Sequence, residues 1–235
     1  MSWRTNRIVL GLRNLGRNSG LNGWIAARTG SVDYEDRFQK RMLGEIRPSD
    51  CVWDVGANVG FYSSLFSAAV GATGKVFAFE PSPTNFIRLT SAVGSLDNVV
   101  LVPIALGDTA GRLAFAEGSD ATGATSRVVG ETADLTGTTI EVEVRRGDEL
   151  ILSTEASDPD VIKIDTEGFE LEVLRGLEQT LRRPKLRALF IEIHFALLHD
   201  RGFASAPAAI EQELEQCGFH CAWPDASHIV ASRSY

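Results

Sequence analysis

The chain has 235 residues, of which 44% are hydrophobic and 23% charged, a composition typical of a folded globular protein that excludes a largely disordered one. Its net charge of −8 argues against a nucleic-acid partner. The sequence has no apolar run long enough for a secretion signal or an integral membrane segment, and its three cysteines lack metal-type spacing. We therefore expect a protein of the reducing cytoplasm.

Residues 1–33 are predicted to form a basic N-terminal helical arm. Residues 1–30 hold five arginines and no acidic residue, so the excess of acid belongs to the rest of the chain. We expect an amphipathic helix that packs on the body of the protein, with contact to a membrane surface or an acidic partner as the alternative. The arm is also expected to cover a ligand site or to support a homodimer.

Residues 34–235 are predicted to form one domain in which short apolar runs alternate with helical patterns. The strand-like runs are Cys51–Val55, Lys75–Glu80, Val99–Ile104, Val161–Asp165, Ala188–Phe195, Phe219–Trp223 and His228–Ser232. The helical segments are Tyr34–Ile46, Gly60–Val70, Pro83–Val93, Glu167–Arg182 and Pro207–Cys217. Buried parallel strands are continuous apolar runs, so this pattern predicts an α/β fold with one doubly wound sheet.

Residues 109–150 interrupt the alternation. They are rich in Gly, Thr and Ser and become strand-like at Thr139–Val144. We interpret the stretch as a β-hairpin insertion with a mobile tip near Gly118–Ser126. Loops on a rigid scaffold carry specificity, so we expect the insertion to shape the pocket for the substrate.

A glycine-rich turn, DVGANVG at residues 54–60, follows the first strand and opens a helix. Glycines let the backbone approach a ligand, and the helix N-terminus offers free amide donors. A dinucleotide fingerprint needs glycine where Asn58 and Phe61 stand, which argues against a nicotinamide dehydrogenase. Asp54, just before the turn, suits a ligand that carries an ammonium group. A purely structural turn is the alternative.

Glu80 stands at the end of the second strand, 20 residues after Gly60, and is followed by Pro81, which stops the strand. A carboxylate at this position accepts hydrogen bonds from the ribose hydroxyls of a nucleoside. The alternative is a capping or solvated glutamate. Together with the glycine turn, Glu80 predicts a nucleoside ligand with an ammonium group and no pyrophosphate, which is S-adenosylmethionine.

Ionisable residues follow the fourth and fifth strands: Lys163, Asp165 and Glu167 in KIDTEG, and Glu192 and His194 in IEIH. Because neighbouring parallel strands end at one edge of a sheet, we expect these five candidate catalytic residues to converge. An alcohol needs a base or a metal before it attacks a methyl group. His194 is the predicted base, with Asp165 or Glu192 orienting it. The alternatives are that Glu167 only begins its helix and that His194 is structural.

A divalent metal is a second prediction for this cluster. Asp165, Glu167, Glu192 and His194 offer the oxygen and nitrogen ligands that suit Mg²⁺ or Mn²⁺. The linear spacing does not require a metal, because the ligands come from separate strands. The remaining histidines, His199, His220 and His228, are interpreted as surface or structural residues.

The sequence resembles the FkbM-type S-adenosylmethionine-dependent methyltransferases. The resembling segments are VWDVGANVGFYS at 52–63, VFAFEPSPTNFIRL at 76–89, IALGD at 104–108, DVIKIDTEGFELEVLRG at 160–176 and IEIH at 191–194. They stand in the family's order and spacing. The position after Asp165, often valine in the family, is Thr166 here.

The resemblance implies a class I, Rossmann-like methyltransferase fold of seven strands, the last antiparallel to the rest. It also implies methylation of a hydroxyl on a sugar, glycolipid or polyketide-type secondary metabolite. The residues that would bind the cofactor are Asp54, Gly56, Asn58, Gly60, Glu80, Pro81, Asp165 and, near the adenine, Ala105 and Leu106. Methylation of a small amine and a catalytically silent cofactor-binding module are the alternative functions.

Overall fold

A seven-stranded sheet forms the centre of the computed structural model, which describes residues 31–116, 127–128 and 139–233. Its strands are β1 (Cys51–Val55), β2 (Lys75–Phe79), β3 (Val99–Val102), β8 (Val161–Ile164), β9 (Ala188–Glu192), β10 (His220–Ala222) and β11 (His228–Ser232). They lie in the order β10-β11-β9-β8-β1-β2-β3. The last strand, β11, runs antiparallel to both of its neighbours, while the pairs from β9 to β3 are parallel, as predicted.

Helices cover both faces of this sheet. They are α1 (Ser31–Glu45), α2 (Phe61–Val70), α3 (Pro83–Val93), α4 (Gly147–Leu152), α5 (Glu170–Gly176), α6 (Phe195–Asp200) and α7 (Ala206–Gln216). Val52 and Val161 are partners in register and pack with Phe38 of α1 and Phe66 of α2. The next residues along the strands face the opposite side, where Trp53 packs in the cluster that includes α5 and α7. Alternation along buried strands therefore divides the core in two.

A second, smaller sheet confirms the predicted hairpin insertion. It contains β4 (Ala105–Leu106), β5 (Gly111–Ala116), β6 (Arg127–Val128) and β7 (Thr139–Arg145) in the order β4-β7-β5-β6. β5 and β7 pair antiparallel, and β4 joins β7 in parallel. The predicted tip near residues 118–126 lies outside the described residues, as does the arm at residues 1–30.

The sequence misplaced several element ends beside the predicted site. The helix expected to begin at Glu167 begins at Glu170, because Glu167 and Gly168 have left-handed φ angles of 51° and 92° that no α-helix accommodates. The strand expected to continue to Phe195 ends at Glu192, and Phe195 begins the unpredicted helix α6. These two early breaks leave non-helical, non-strand backbone at residues 165–169 and 193–194.

Candidate active site

The turn after β1 is held against the end of β8. Gly56 has a φ of 80°, and a Cβ built on it would lie 1.8 Å from the carbonyl oxygen of Asp165. The amides of Gly56 and Ala57 both donate to the carbonyl of Phe79, at 3.0 and 2.9 Å. Only glycine fits at position 56, because a side chain would separate the two strand ends. The turn and the strand-end acids are therefore parts of one structure.

Glu80 is buried at the rim of the sheet, with only 4% of its surface exposed. Its Oε2 accepts the amide hydrogen of Asn58 at 2.9 Å, and its Oε1 accepts that of Ser82 at 2.8 Å. Burial raises the pKa of Glu80 to about 7, although these hydrogen bonds act in the opposite direction. Each carboxylate oxygen keeps a second lone pair, so the group can still accept hydrogen bonds from a ligand.

A cavity opens beside Glu80 at the carboxyl ends of β1, β2 and β8. Seven of the predicted cofactor residues line it: Gly56, Asn58, Glu80, Pro81, Ala105, Leu106 and Asp165. Asp54 and Gly60 lie outside this lining: Asp54 is fully buried beneath the turn, and Gly60 precedes α2. Phe115 of β5, which the sequence did not single out, contributes an aromatic wall from the second sheet.

Lys163 connects the turn to the strand-end acids. Its buried Nζ donates to the carbonyl of Gly56 at 3.0 Å and lies 3.3 Å from Asp54 and 3.4 Å from Asp165. Burial opposes the charge of Lys163, but the carboxylates of Asp54 and Asp165 outweigh it and raise the pKa of the ammonium group. Lys163 therefore stays charged, and a charged ammonium group cannot accept a proton. Its contacts hold the turn after β1 against the end of β8.

Four of the five predicted catalytic residues lie together: Asp165, Glu167 and Glu192 surround the imidazole of His194. His194 is 7% exposed. Its Nε2 lies 3.3 Å from Glu167 Oε2, 3.6 Å from Asp165 Oδ1 and 3.9 Å from Glu192 Oε1. Ligand atoms of Asp165, Glu167 and His194 lie within 4.8 Å of one another, so three of the four predicted metal ligands form a compact group. Glu192 is outside that group.

The opposite ring nitrogen, Nδ1, lies 2.8 Å from Oε1 of Glu170. Glu170 is completely buried, and the same oxygen accepts the amide hydrogen of Gly168 at 2.8 Å. The sequence predicted that Asp165 or Glu192 orients the imidazole of His194. It did not single out Glu170. A signal was present, because Glu170 falls on the apolar stripe of α5 with Val173 and Leu174, and a carboxylate on such a stripe needs a partner.

His228 is a further residue whose contacts the sequence did not indicate. It is buried, and β11 places it directly opposite Glu192 of β9, with its Nε2 3.8 Å from Glu192 Oε2. Its Nδ1 lies 2.9 Å from Asp225, and its ring packs on Phe38 at a centroid distance of 4.0 Å. Of the two interpretations, surface or structural, its burial and its contact with Asp225 favour the structural one. Nothing local in the sequence indicates the contact with Glu192, because it depends on strand register.

The electrostatics of the cluster follow from these contacts. Burial disfavours charge on His194, but the carboxylates of Glu167, Glu170 and Glu192 outweigh it and raise its pKa well above the ordinary value. Burial would raise the pKa of Glu192, yet the hydrogen bond from His228 and the charge of His194 lower it to about 2. At neutral pH the cluster therefore holds a protonated His194 beside the ionised carboxylate of Glu192, whereas burial raises the pKa of Asp165.

Sequence comparison agrees with this geometry. The family model of the methyltransferase FkbM domain matches residues 54–221, which spans the glycine turn, Glu80 and the whole acid cluster. The chain belongs to the FkbM methyltransferase family. It is an S-adenosylmethionine-dependent methyltransferase, and the predicted family, enzyme class and cofactor are confirmed.

Two relatives of this FkbM methyltransferase have assigned substrates. The hexuronic acid methyltransferase AglP of Haloferax volcanii is 35% identical, over 74% of this chain and 80% of its own. The 31-O-demethyl-FK506 methyltransferase FkbM of Streptomyces tacrolimicus is 29% identical, over 72% of this chain and 78% of its own.

A solved structure supports the fold. The methyltransferase FkbM of Methylobacillus flagellatus KT superimposes with a TM-score of 0.51 at 16% identity, covering 78% of this chain but only 43% of that longer chain. The predicted class I methyltransferase fold is confirmed. Within the part of the chain that the structure describes, no helix is long and apolar enough to cross a membrane.

Proposed function

We propose that this FkbM methyltransferase transfers a methyl group to a hydroxyl of a small molecule, a sugar, glycolipid or polyketide-type secondary metabolite. The observation that carries the proposal is the position of His194. Its Nε2 faces Asp165, which also lines the cofactor cavity, so an imidazole stands beside the place where a methyl donor would bind. The hexuronic acid and FK506 substrates in the names of the two relatives support an oxygen acceptor.

The cavity fits the cofactor. Glu80 would accept hydrogen bonds from the ribose hydroxyls, and the backbone of Gly56 and Asn58 would approach the methionine portion. Ala105, Leu106 and Phe115 offer an apolar slot for the adenine, with Pro81 at its edge. Asp54 and Gly60 contribute by fixing the turn, since Asp54 accepts a hydrogen bond from Ser63 at 2.6 Å and contacts Lys163.

The chemistry required of the protein is removal of one proton. Bound S-adenosylmethionine supplies the methyl group from its sulfonium, so that a carbon–sulfur bond breaks as the carbon–oxygen bond forms and S-adenosylhomocysteine leaves. His194 would first release its Nε2 proton to bulk water and then receive the hydroxyl proton at Nε2, while Glu170 holds the ring. The other route is a divalent cation, Mg²⁺ or Mn²⁺, bound by Asp165, Glu167 and His194, which lowers the pKa of the hydroxyl.

The same proposal places the enzyme in the cytoplasm, without a nucleic-acid partner and as a homodimer. The net charge of −8 and the acidic cluster at the site support a small acceptor rather than a polyanion. The basic arm at residues 1–33 is assigned to covering the cofactor or to dimer contacts.

The test is a methyl-transfer assay. The purified protein is incubated with S-adenosylmethionine and a panel of uronic acids, neutral sugars, amino sugars and macrolide alcohols. We expect release of S-adenosylhomocysteine and gain of one methyl group on a hydroxyl by mass spectrometry, with turnover at least 100-fold lower in Asp165→Asn and His194→Ala. Methylation of an amine alone would contradict the oxygen acceptor. A silent panel despite tight cofactor binding would favour a binding module.

A further inference from the structure

The group around His194 carries more negative than positive charge. One imidazole faces Asp165, Glu167, Glu170 and Glu192 at distances of 2.8 to 3.9 Å. The neighbouring cation Lys163 is shared between Asp165 and Asp54. Carboxylates held this close repel one another unless a further cation stands among them. His228 offsets part of this charge through its contact with Glu192. The sulfonium of the cofactor would bring one further positive charge, so the carboxylates still outnumber the cations.

The separations of the atoms suit a metal ion. Glu167 Oε2 and Asp165 Oδ1 lie 3.3 and 3.6 Å from His194 Nε2. Atoms that bind one ion at roughly 2.0 to 2.3 Å in octahedral or tetrahedral geometry are themselves about 3.0 to 3.7 Å apart. Both distances to His194 therefore suit one ion, and all three ligand atoms lie within 4.8 Å of one another. They also come from two strand ends that the sheet fixes side by side.

The far side of His194 has the arrangement found behind metal-bound histidines. Such a histidine usually donates its other ring N–H to a carboxylate, which fixes the ring and raises its basicity as a ligand. Glu170 fills this role at 2.8 Å from Nδ1, and it is fully buried. This leaves Nε2 directed at the two carboxylates.

One buried polar atom beside the cluster points independently to a bound ligand. Thr166 stands between Asp165 and Glu167 and lines the same cavity, and its buried hydroxyl has no hydrogen-bond partner among the described residues. Buried polar atoms are rarely left unsatisfied, and an ion with its coordinated water is a common reason when they are.

We propose that Asp165, Glu167 and His194 bind one divalent cation, for which Mn²⁺ is the best match, and that this ion coordinates the acceptor hydroxyl. The mixed set of two carboxylates and one imidazole suits Mn²⁺ better than Mg²⁺, which prefers oxygen alone. The role of the ion in catalysis rests on the proposed function, whereas its binding does not. The ion would lower the pKa of the hydroxyl, whose proton would leave to bulk water as the carbon–oxygen bond forms.

Metal binding is measured without an acceptor. The full chain is treated with chelator, transferred to metal-free buffer and titrated with MnCl₂, and bound ion is followed by calorimetry and by electron paramagnetic resonance of free Mn²⁺. We expect one Mn²⁺ per chain, with affinity at least tenfold weaker in Glu167→Gln and in Glu170→Gln. Glu143→Gln removes an exposed carboxylate of β7 and should bind as the wild type does.

Circular dichroism establishes that each variant is folded. Absence of Mn²⁺ binding by the folded wild type would overturn the inference, and so would unchanged binding in Glu167→Gln, because the ion would then lie elsewhere. Binding of S-adenosylhomocysteine is measured on the same samples. Its loss would count against the proposed function, whereas its retention without Mn²⁺ binding would count against the metal site alone.

Discussion

Glu80 is a residue whose protonation can be followed through the binding of the cofactor. Its carboxylate is buried at the rim of the sheet, and its pKa of about 7 is high for a glutamate because burial disfavours the charge. Ribose hydroxyls donate hydrogen bonds more strongly to an ionised carboxylate than to a neutral acid. Cofactor affinity should therefore depend on pH in the neutral range.

We expect S-adenosylhomocysteine to bind about tenfold more tightly at pH 8 than at pH 6, because Glu80 with a pKa of about 7 is mostly protonated at the lower value and must lose that proton to bind. Calorimetry across this range measures the effect. Glu80→Gln has no proton to lose and should bind weakly with no such slope. An equal slope in wild type and variant would assign the titration to another group.

His228 provides a second test at this scale. Its contact with Glu192 helps lower the pKa of that carboxyl to about 2, in opposition to burial. In His228→Gln we expect the pKa of Glu192 to rise by about one unit or more, since an opposite charge within a few ångströms is lost and burial remains. Carboxyl carbon NMR of labelled protein follows the titration. Phe38→Leu keeps the imidazole and should change the value far less.

At the scale of elements, the site depends on where strands end. The sequence predicts β1, α2 and α3 closely, because their apolar runs are bounded by glycine or proline. It extends the helix after β8 back to Glu167, since DTEGFELE reads as a helix start with acidic residues. The left-handed backbone at Glu167 and Gly168 depends on tertiary packing, in which a Cβ on Gly168 would meet Leu197 at 2.8 Å.

The junction of β1 and β8 is tested by Gly56→Ala. We expect a loss of about 3 kcal/mol or more of unfolding free energy and loss of cofactor binding, because the new methyl group would meet the carbonyl of Asp165. Urea denaturation measures the first and calorimetry the second. Gly218→Ala is the matched control: its φ is also positive, at 85°, but nothing lies within 4 Å of the new Cβ. It should cost about 1 kcal/mol. Equal effects of the two substitutions would contradict the role of the junction.

At the scale of the whole molecule, sequence pattern predicts the class of fold and the edge of the sheet that carries the site. Continuous apolar runs identify the buried parallel strands, and the polar residues that follow these runs mark the edge of the sheet where a ligand binds. The pattern cannot reveal contacts that depend on register between distant strands. His228 meets Glu192 only because β11 inserts antiparallel between β9 and β10. Phe115 reaches the cavity only through the second sheet.

The basic arm carries a prediction at this scale. Deleting residues 1–30, which hold five arginines and no acid, should halve the mass in solution or raise the Michaelis constant for S-adenosylmethionine severalfold. Sedimentation and steady-state kinetics measure the two effects. A deletion that changes neither would contradict both assignments of the arm.

The most direct test of the central claim is calorimetric binding of S-adenosylhomocysteine to the wild type and to Glu80→Ala, with NADH as the comparison ligand. We predict micromolar binding to the wild type, at least tenfold weaker binding to the variant because hydrogen bonds to a charged group are lost, and no response to NADH. Absence of binding to a folded wild type, or unchanged binding in Glu80→Ala, would contradict the assignment of the cavity beside Glu80 to the cofactor.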